Sequence, residues 1–139
     1  MNGENALKLA NGNDVVMVDD NEGDVVLTQR CFEMSRVPNP WMSFSSGPGF
    51  LAHLRLVRRG EALMPALVLL DLNMPGMSGF EVLQTTRSDP YFEQLPVFCM
   101  LTSSHDPRDK ARAERYGASG YFTKTANLDE YVTFFDALL

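Results

Sequence analysis

The sequence is short of positive charge: twelve Lys and Arg stand against eighteen Asp and Glu over 139 residues, for a formal net charge of −6. Phosphate backbones are held by clustered Lys and Arg, so direct nucleic-acid binding is not the expected role. Cysteine is scarce too, with Cys31 and Cys99 far apart in unrelated apolar surroundings. A disulfide framework or a zinc site needs more sulfur at closer spacing, and both residues read as reduced core thiols. The longest apolar stretches, such as Ala66 to Leu70, are far too short to cross a bilayer, and the first residues lack the charged and apolar blocks of a secretory signal. A cytoplasmic protein with no membrane segment is expected. Internal repeats and low-complexity tracts are also missing, which excludes a solenoid.

What is present suffices for one domain, because 45% of the residues are hydrophobic. Residues 1–13, rich in Asn and Gly, read as a flexible tail around a short apolar patch at Leu7 and Leu9, and residues 14–139 as the domain. From Asp14 onward, short apolar runs alternate with helical periodicity, the signature of an α/β fold with a parallel sheet. Strands are expected at Val15 to Val18, Ala66 to Leu70 and Val97 to Leu101, with weaker ones at Trp41 to Phe44 and Ser119 to Thr123. The three clear strands are continuously apolar, as strands covered on both faces should be. Between them, Asp24 to Ser35 carries Leu27, Cys31 and Met34 on one helical face, and Pro38 and Pro40 forbid its continuation. Helices are further expected over Pro48 to Arg59, Gly79 to Arg87 and Arg108 to Tyr116, and from Asn127 as a start signal through a stripe ending at Leu138 and Leu139. Five βα units suggest an open doubly wound sheet; a closed eight-unit barrel needs roughly twice the length.

In such a sheet, ligands bind at the carboxyl ends of the strands. The unusual polar residues fall there: Asp19 and Asp20 after the first strand, Asp71 at the end of the third, Thr102 at the end of the fourth and Lys124 after the fifth. Singly, each has an ordinary reading as a helix cap, a turn residue or a solvated charge. Jointly, they predict one site. Three carboxylates in a cleft repel one another unless a cation intervenes, and hard oxygen ligands with an incomplete protein shell suit Mg²⁺. Asp20 and Asp71 are the expected direct ligands, with the main-chain carbonyl of Asn73 as a third. A carboxylate beside such a metal can attack phosphorus, with Lys124 compensating charge and Thr102 donating a hydroxyl hydrogen bond. Neither His53 nor His105 has the partners of a triad or a zinc site, and both read as ordinary polar residues.

The runs VVMVDDNEGD, LVLLDLNMPGMSGFEVL, LPVFCMLTSS and GASGYFTK resemble a response-regulator receiver domain over nearly everything from Asp14 to Leu139. The resemblance implies a flavodoxin-like (βα)5 sandwich of strand order 2-1-3-4-5, an order the doubly wound class includes. It implies that Asp71 is the phosphoacceptor, Asp19 and Asp20 are metal-site acids, Thr102 is the switch hydroxyl, Lys124 contacts the phosphoryl group and Tyr121 is the switch aromatic. Finer features, including SDPYFEQLPV and TKTANLDEY, are similar to single-domain regulators associated with bacterial phytochromes. That implies a sensor histidine kinase as phosphodonor, a bacteriophytochrome among the candidates. One departure is Thr125, where many receivers carry Pro directly after the late Lys; a cis bond at this position would cost several kcal/mol more than with proline.

Because the chain ends at Leu139 in the expected fifth helix, output is expected through a protein partner or a homodimer, using the fourth helix, fifth strand and fifth helix. Two rivals share the residues. An aspartate-nucleophile phosphohydrolase usually carries a second acid two residues on, where this chain has Asn73, so efficient turnover lacks its general acid. A phosphorylation-independent scaffold has no physical need for mutually repelling acids.

Overall fold

The continuously apolar runs become the inner strands of a parallel sheet. The structure is a computed structural model that describes residues 8–102 and 106–139. Among these, β1 (Val15–Val18), α1 (Glu22–Met34), β2 (Trp41–Phe44), α2 (Gly47–Arg58), β3 (Leu67–Asp71), α3 (Gly79–Arg87), β4 (Val97–Leu101), α4 (Pro107–Arg115), β5 (Gly120–Thr123) and α5 (Leu128–Asp136) follow one another. The strands lie parallel in the order β2-β1-β3-β4-β5, the flavodoxin-like arrangement.

Side chains alternate across a strand, so each buried strand feeds two cores. Val16, Val18, Val68 and Leu70 pack with Phe50, Leu54 and Val57 of α2 and with Phe80, Val82 and Leu83 of α3. Val15, Met17, Leu67 and Leu69 point the other way, against Cys31 and Phe32 of α1 and Tyr131 and Phe135 of α5. This two-sided burial is why β1 and β3 tolerate almost no polar residue before their carboxyl ends. Each of the five helices starts at an Asn, Ser or Asp whose side chain accepts a main-chain N–H of the first turn: Asn21, Ser46, Ser78, Asp106 and Asn127.

Several expectations shift. β3 runs one residue further than the apolar pattern, so Asp71 lies inside the strand, in register with Met100. Helix α1 begins before Asp24, because Asn21 accepts the Asp24 N–H at 3.0 Å. Its buried face is Thr28, Cys31 and Phe32, whereas Met34 is 66% exposed. Thr28 can turn inward because its hydroxyl donates to the Asp24 carbonyl at 2.7 Å. Helix α5 stops at Asp136; Leu138 is buried beyond it, but Leu128 and Leu139 are exposed. A 3-10 turn at Pro90–Phe92, which the periodicity did not suggest, buries Phe92.

Lys8, Leu9, Ala10, Asn11 and Asn13 of the expected tail are hydrogen-bonded to the domain. Leu9 N–H donates to Leu138 O at 3.1 Å, and Asn39 reaches across with Nδ2 to Asn11 O at 3.0 Å and Asn13 O at 2.8 Å. The side-chain amides of Asn11 and Asn13 also donate to Met64 O, at 3.4 Å and 3.0 Å. Leu7 and the residues before it lie outside the described residues, as does His105.

The end of the sheet away from the strand carboxyl termini is tied by Arg87, the last residue of α3. Its guanidinium donates to Phe92 O at 2.6 Å, Gly117 O at 2.8 Å and Ser119 Oγ at 3.3 Å, and Ser119 Oγ in turn accepts the Val97 N–H at 3.0 Å. Burial pulls the Arg87 pKa down from its ordinary value. Arg87→Met keeps the packing length and removes every donor. It should destabilise the protein by about 2–4 kcal/mol in urea titration, since charged hydrogen bonds contribute about 1.5–3 kcal/mol each and are not additive.

Candidate functional site

The four strands β1, β3, β4 and β5 run in one direction, so their carboxyl ends meet at one edge of the sheet. Asp19 and Asp20 follow β1, Asp71 closes β3, Thr102 follows β4 and Lys124 follows β5, and all five line one cleft with Asn73. The turn after Asp71 is held tight by Gly79, whose N–H donates to Leu72 O at 3.1 Å. A Cβ on Gly79 would collide with the Asp71 carbonyl, so only glycine lets α3 start this close to the strand end. Gly76 supplies the left-handed residue of the same turn, at φ 76°.

One carboxylate oxygen each from Asp19, Asp20 and Asp71 lies within 4.8 Å of the others. Asp19 and Asp71 are 1% and 3% exposed, while Asp20 faces solvent. Asp19 Oδ1 accepts the Asn21 N–H at 2.9 Å, and its Oδ2 accepts from Lys124 Nζ at 3.1 Å. Lys124 Nζ is also 3.1 Å from Asp71 Oδ1, without the alignment of a hydrogen bond. That buried oxygen thus has a cation beside it and no donor aimed at it among the described residues.

The charges follow from this crowding. Burial pushes the Asp71 carboxyl up to about 6, the Asp19 charge pushes the same way, and Lys124 only partly offsets them. Burial raises Asp19 as well, against the opposing pull of the Asn21 amide and Lys124. Burial alone would lower Lys124, but the Asp24 hydrogen bond and the Asp71 and Asp19 charges outweigh it and hold the ammonium protonated above its ordinary range. Three clustered carboxylates with one buried, undonated oxygen fit a divalent cation with hard oxygen ligands.

The strand-end residues expected from the sequence therefore converge. Tyr121 does not line the cleft: it sits half-buried on β5 opposite Cys99, with Lys110 Nζ 4.3 Å from its ring centroid. His53 stacks near Phe44 at 5.2 Å, in keeping with an ordinary polar residue. The Lys124–Thr125 bond is trans, like every described peptide bond. The sequence reading missed Asp24, which lies 2.8 Å from Lys124 Nζ. Its signal was available, because a helix leaving the carboxyl end of β1 aims its first turn at the cleft.

No helix among the described residues is long and apolar enough to cross a membrane. The family model of the response regulator receiver domain matches residues 15–136. Response regulator Rcp1 of Synechocystis sp. is 30% identical over 119 residues, which cover 84% of this chain and 79% of Rcp1. The crystal structure of a phosphorylated cyanobacterial phytochrome response regulator, RcpA, shares 32% identity over 88% of both chains at a TM-score of 0.76. That of the Mn(2+)-bound form of response regulator Rcp1 shares 27% identity, also over 88% of both chains, at a TM-score of 0.75. A parallel sheet of order 2-1-3-4-5, with acids, a hydroxyl and a lysine on its strand ends and relatives of this kind, makes the chain a member of the response-regulator receiver domains of two-component signalling, similar to the phytochrome response regulators among them.

Proposed function

We propose that Asp71 accepts a phosphoryl group from a sensor histidine kinase in a Mg²⁺-dependent reaction, and that the added charge switches a protein-binding surface. The observation that carries this reading is Asp71 Oδ1: buried, flanked by an ammonium at 3.1 Å, and with no donor directed at it. A carboxylate oxygen so placed can act as a nucleophile toward phosphorus. It attacks phosphorus, the P–N bond of the donor phosphohistidine breaks, and the electron pair leaves on the imidazole nitrogen, giving an acyl phosphate on Asp71. When bound, the divalent cation supplies charge neutralisation for the carboxylates and for the phosphoryl oxygens. Asp19, Asp20 and Asp71 would hold it, with the Asn73 carbonyl as a further ligand. Lys124 compensates charge on the phosphoryl group, and the Thr102 hydroxyl donates to one of its oxygens. The phosphorylated state of RcpA and the Mn(2+)-bound form of Rcp1 support both halves of the reading by similarity. The same similarity supports a phytochrome-type kinase as donor, and the buried, free thiols of Cys31 and Cys99 suit a cytoplasmic setting.

Output is proposed through α4, β5 and α5. Tyr121 is half-buried on β5, and the cation over its ring comes from α4. A phosphoryl group that draws Thr102 inward vacates space into which Tyr121 can turn.

The buried charge gives a test with a defined sign. Asp71 rises from 3.8 to about 6 on folding, so the folded chain holds a proton that the unfolded chain releases between these values. Its contribution to stability is full below the lower value and lost as pH rises through the upper one. In metal-free urea titrations at pH 7.5, Asp71→Asn should be more stable than wild type by on the order of 1–3 kcal/mol, a gap that closes near pH 4.5. Mg²⁺ should stabilise the wild type and leave the variant unmoved.

Acetyl phosphate with Mg²⁺ should add one phosphoryl group per chain by intact mass. Hydroxylamine should remove it and Asp71→Asn should abolish it; an adduct that resists hydroxylamine would place the phosphate on Ser or Thr instead.

Thr102→Ala should still be phosphorylated but lose most of the phosphate-dependent change in partner binding or dimerisation, read by light scattering. A full response in both Thr102→Ala and Tyr121→Ala would send the signal out by another route.

A further inference from the structure

The shortest contact of Lys124 is not with the phosphoacceptor. Nζ lies 2.8 Å from Asp24 Oδ2, against 3.1 Å from Asp19 Oδ2 and 3.1 Å from Asp71 Oδ1, and only the first two are hydrogen bonds. Both ends of the Asp24 contact are fixed by the main chain. Asn21 caps the Asp24 N–H at 3.0 Å, and Thr28 Oγ1 donates to the Asp24 carbonyl at 2.7 Å. Lys124 N–H donates to Leu101 O at 2.7 Å. With both backbones anchored, the ammonium's position is decided by competition among the carboxylates around it.

A phosphoryl group on Asp71 adds oxygens and negative charge to that competition. The Asp19 side chain has no exposed surface and cannot exchange its ammonium for water, whereas the Asp24 side chain is 38% exposed and can. Asp24 is the partner that gives way.

We propose that Asp24 is a positioning residue that holds Lys124 in the unphosphorylated protein and releases it on phosphorylation, freeing the first turn of α1. The inference rests on Asp71 being the phosphoacceptor and adds to it a residue that sets the balance between the two states. The tighter Asp24 holds the ammonium, the more the unphosphorylated arrangement is favoured.

Beryllofluoride, an anionic mimic of the phosphoryl group, serves as the probe in the presence of Mg²⁺. Asp24→Asn keeps the main-chain caps and should bind it about twofold to tenfold more tightly than wild type by titration calorimetry. Loss of one negative charge near an anion site would tighten binding without involving Lys124, so the comparison is repeated in a Lys124→Gln background. There the Asp24→Asn effect should vanish if it acts through the ammonium. Amide hydrogen exchange gives an independent readout at Val25, whose N–H bonds Asn21 O at 3.1 Å in the first turn of α1. Beryllofluoride should speed that exchange in wild type and leave it unchanged in Asp24→Asn, where it is already fast. Equal affinities, a gain that survives Lys124→Gln, or no change at Val25 in wild type would each overturn the role of Asp24. If wild type neither binds the mimic nor takes phosphate from acetyl phosphate, the phosphoacceptor reading fails first and this one falls with it.

Discussion

Two carboxylates buried beside one ammonium, at the place where four parallel strands end, are the constraint on which the rest of this structure depends. Asp19 and Asp71 are 1% and 3% exposed, and neither has the solvent that would normally stabilise its charge. Lys124 supplies part of what water would, at 3.1 Å from an oxygen of each. Buried carboxylates only partly compensated in this way have perturbed proton affinities, which is a mark of functional sites. The pKa values of Asp71 and Lys124 are both raised, since burial and the Asp19 charge disfavour ionising the acid while the surrounding carboxylates disfavour removing the proton of the base.

Such a strained site needs a frame that does not yield. The frame is the double core: alternate residues of β1 and β3 lock into α2 and α3 on one side and α1 and α5 on the other. Helix N-terminal caps fix where each helix starts, and at Gly79 the close approach of α3 to the Asp71 carbonyl sets the depth of Asp71. At the opposite end of the sheet, Arg87 binds the α3, β4 and β5 connections together. The strands therefore hold their register while the residues at their tips remain open to chemistry, which is the division of labour expected of an open α/β sheet.

The elements beside the site are held by different amounts of core. β5 is an edge strand whose residues are all half-buried, so Tyr121 has a packed side and a free side. Its ring meets Lys110 of α4, a helix with one fully buried side chain, Ala113, among its described residues. A helix held by so little core is one that a change of charge next door can shift, because few apolar contacts must break. α1 is also tied to the site, since its first turn is joined to Lys124 through Asp24 at 2.8 Å.

Much of this was legible in the residues. The apolar runs at Val15, Leu67 and Val97 gave strands because burial on both faces leaves no alternation to confuse, and Asn127 marked the last helix because an Asn side chain satisfies an orphan N–H. Asp19, Asp20, Asp71, Thr102 and Lys124 could be placed in one cleft because strand ends can be counted from sequence and parallel strands bring their carboxyl ends together. The sequence by itself determined the order of elements and the chemical types at the site. Only the tertiary structure decided who faces whom. Asn39, distant in sequence, has an amide within reach of the Asn11 and Asn13 carbonyls; Met34 faces solvent while Thr28 and Phe32 are buried; and Asp24 became a partner of Lys124, 100 residues away. Local periodicity carries no information about such pairs, because they exist only once the chain has closed and set two separately anchored backbones a few ångströms apart.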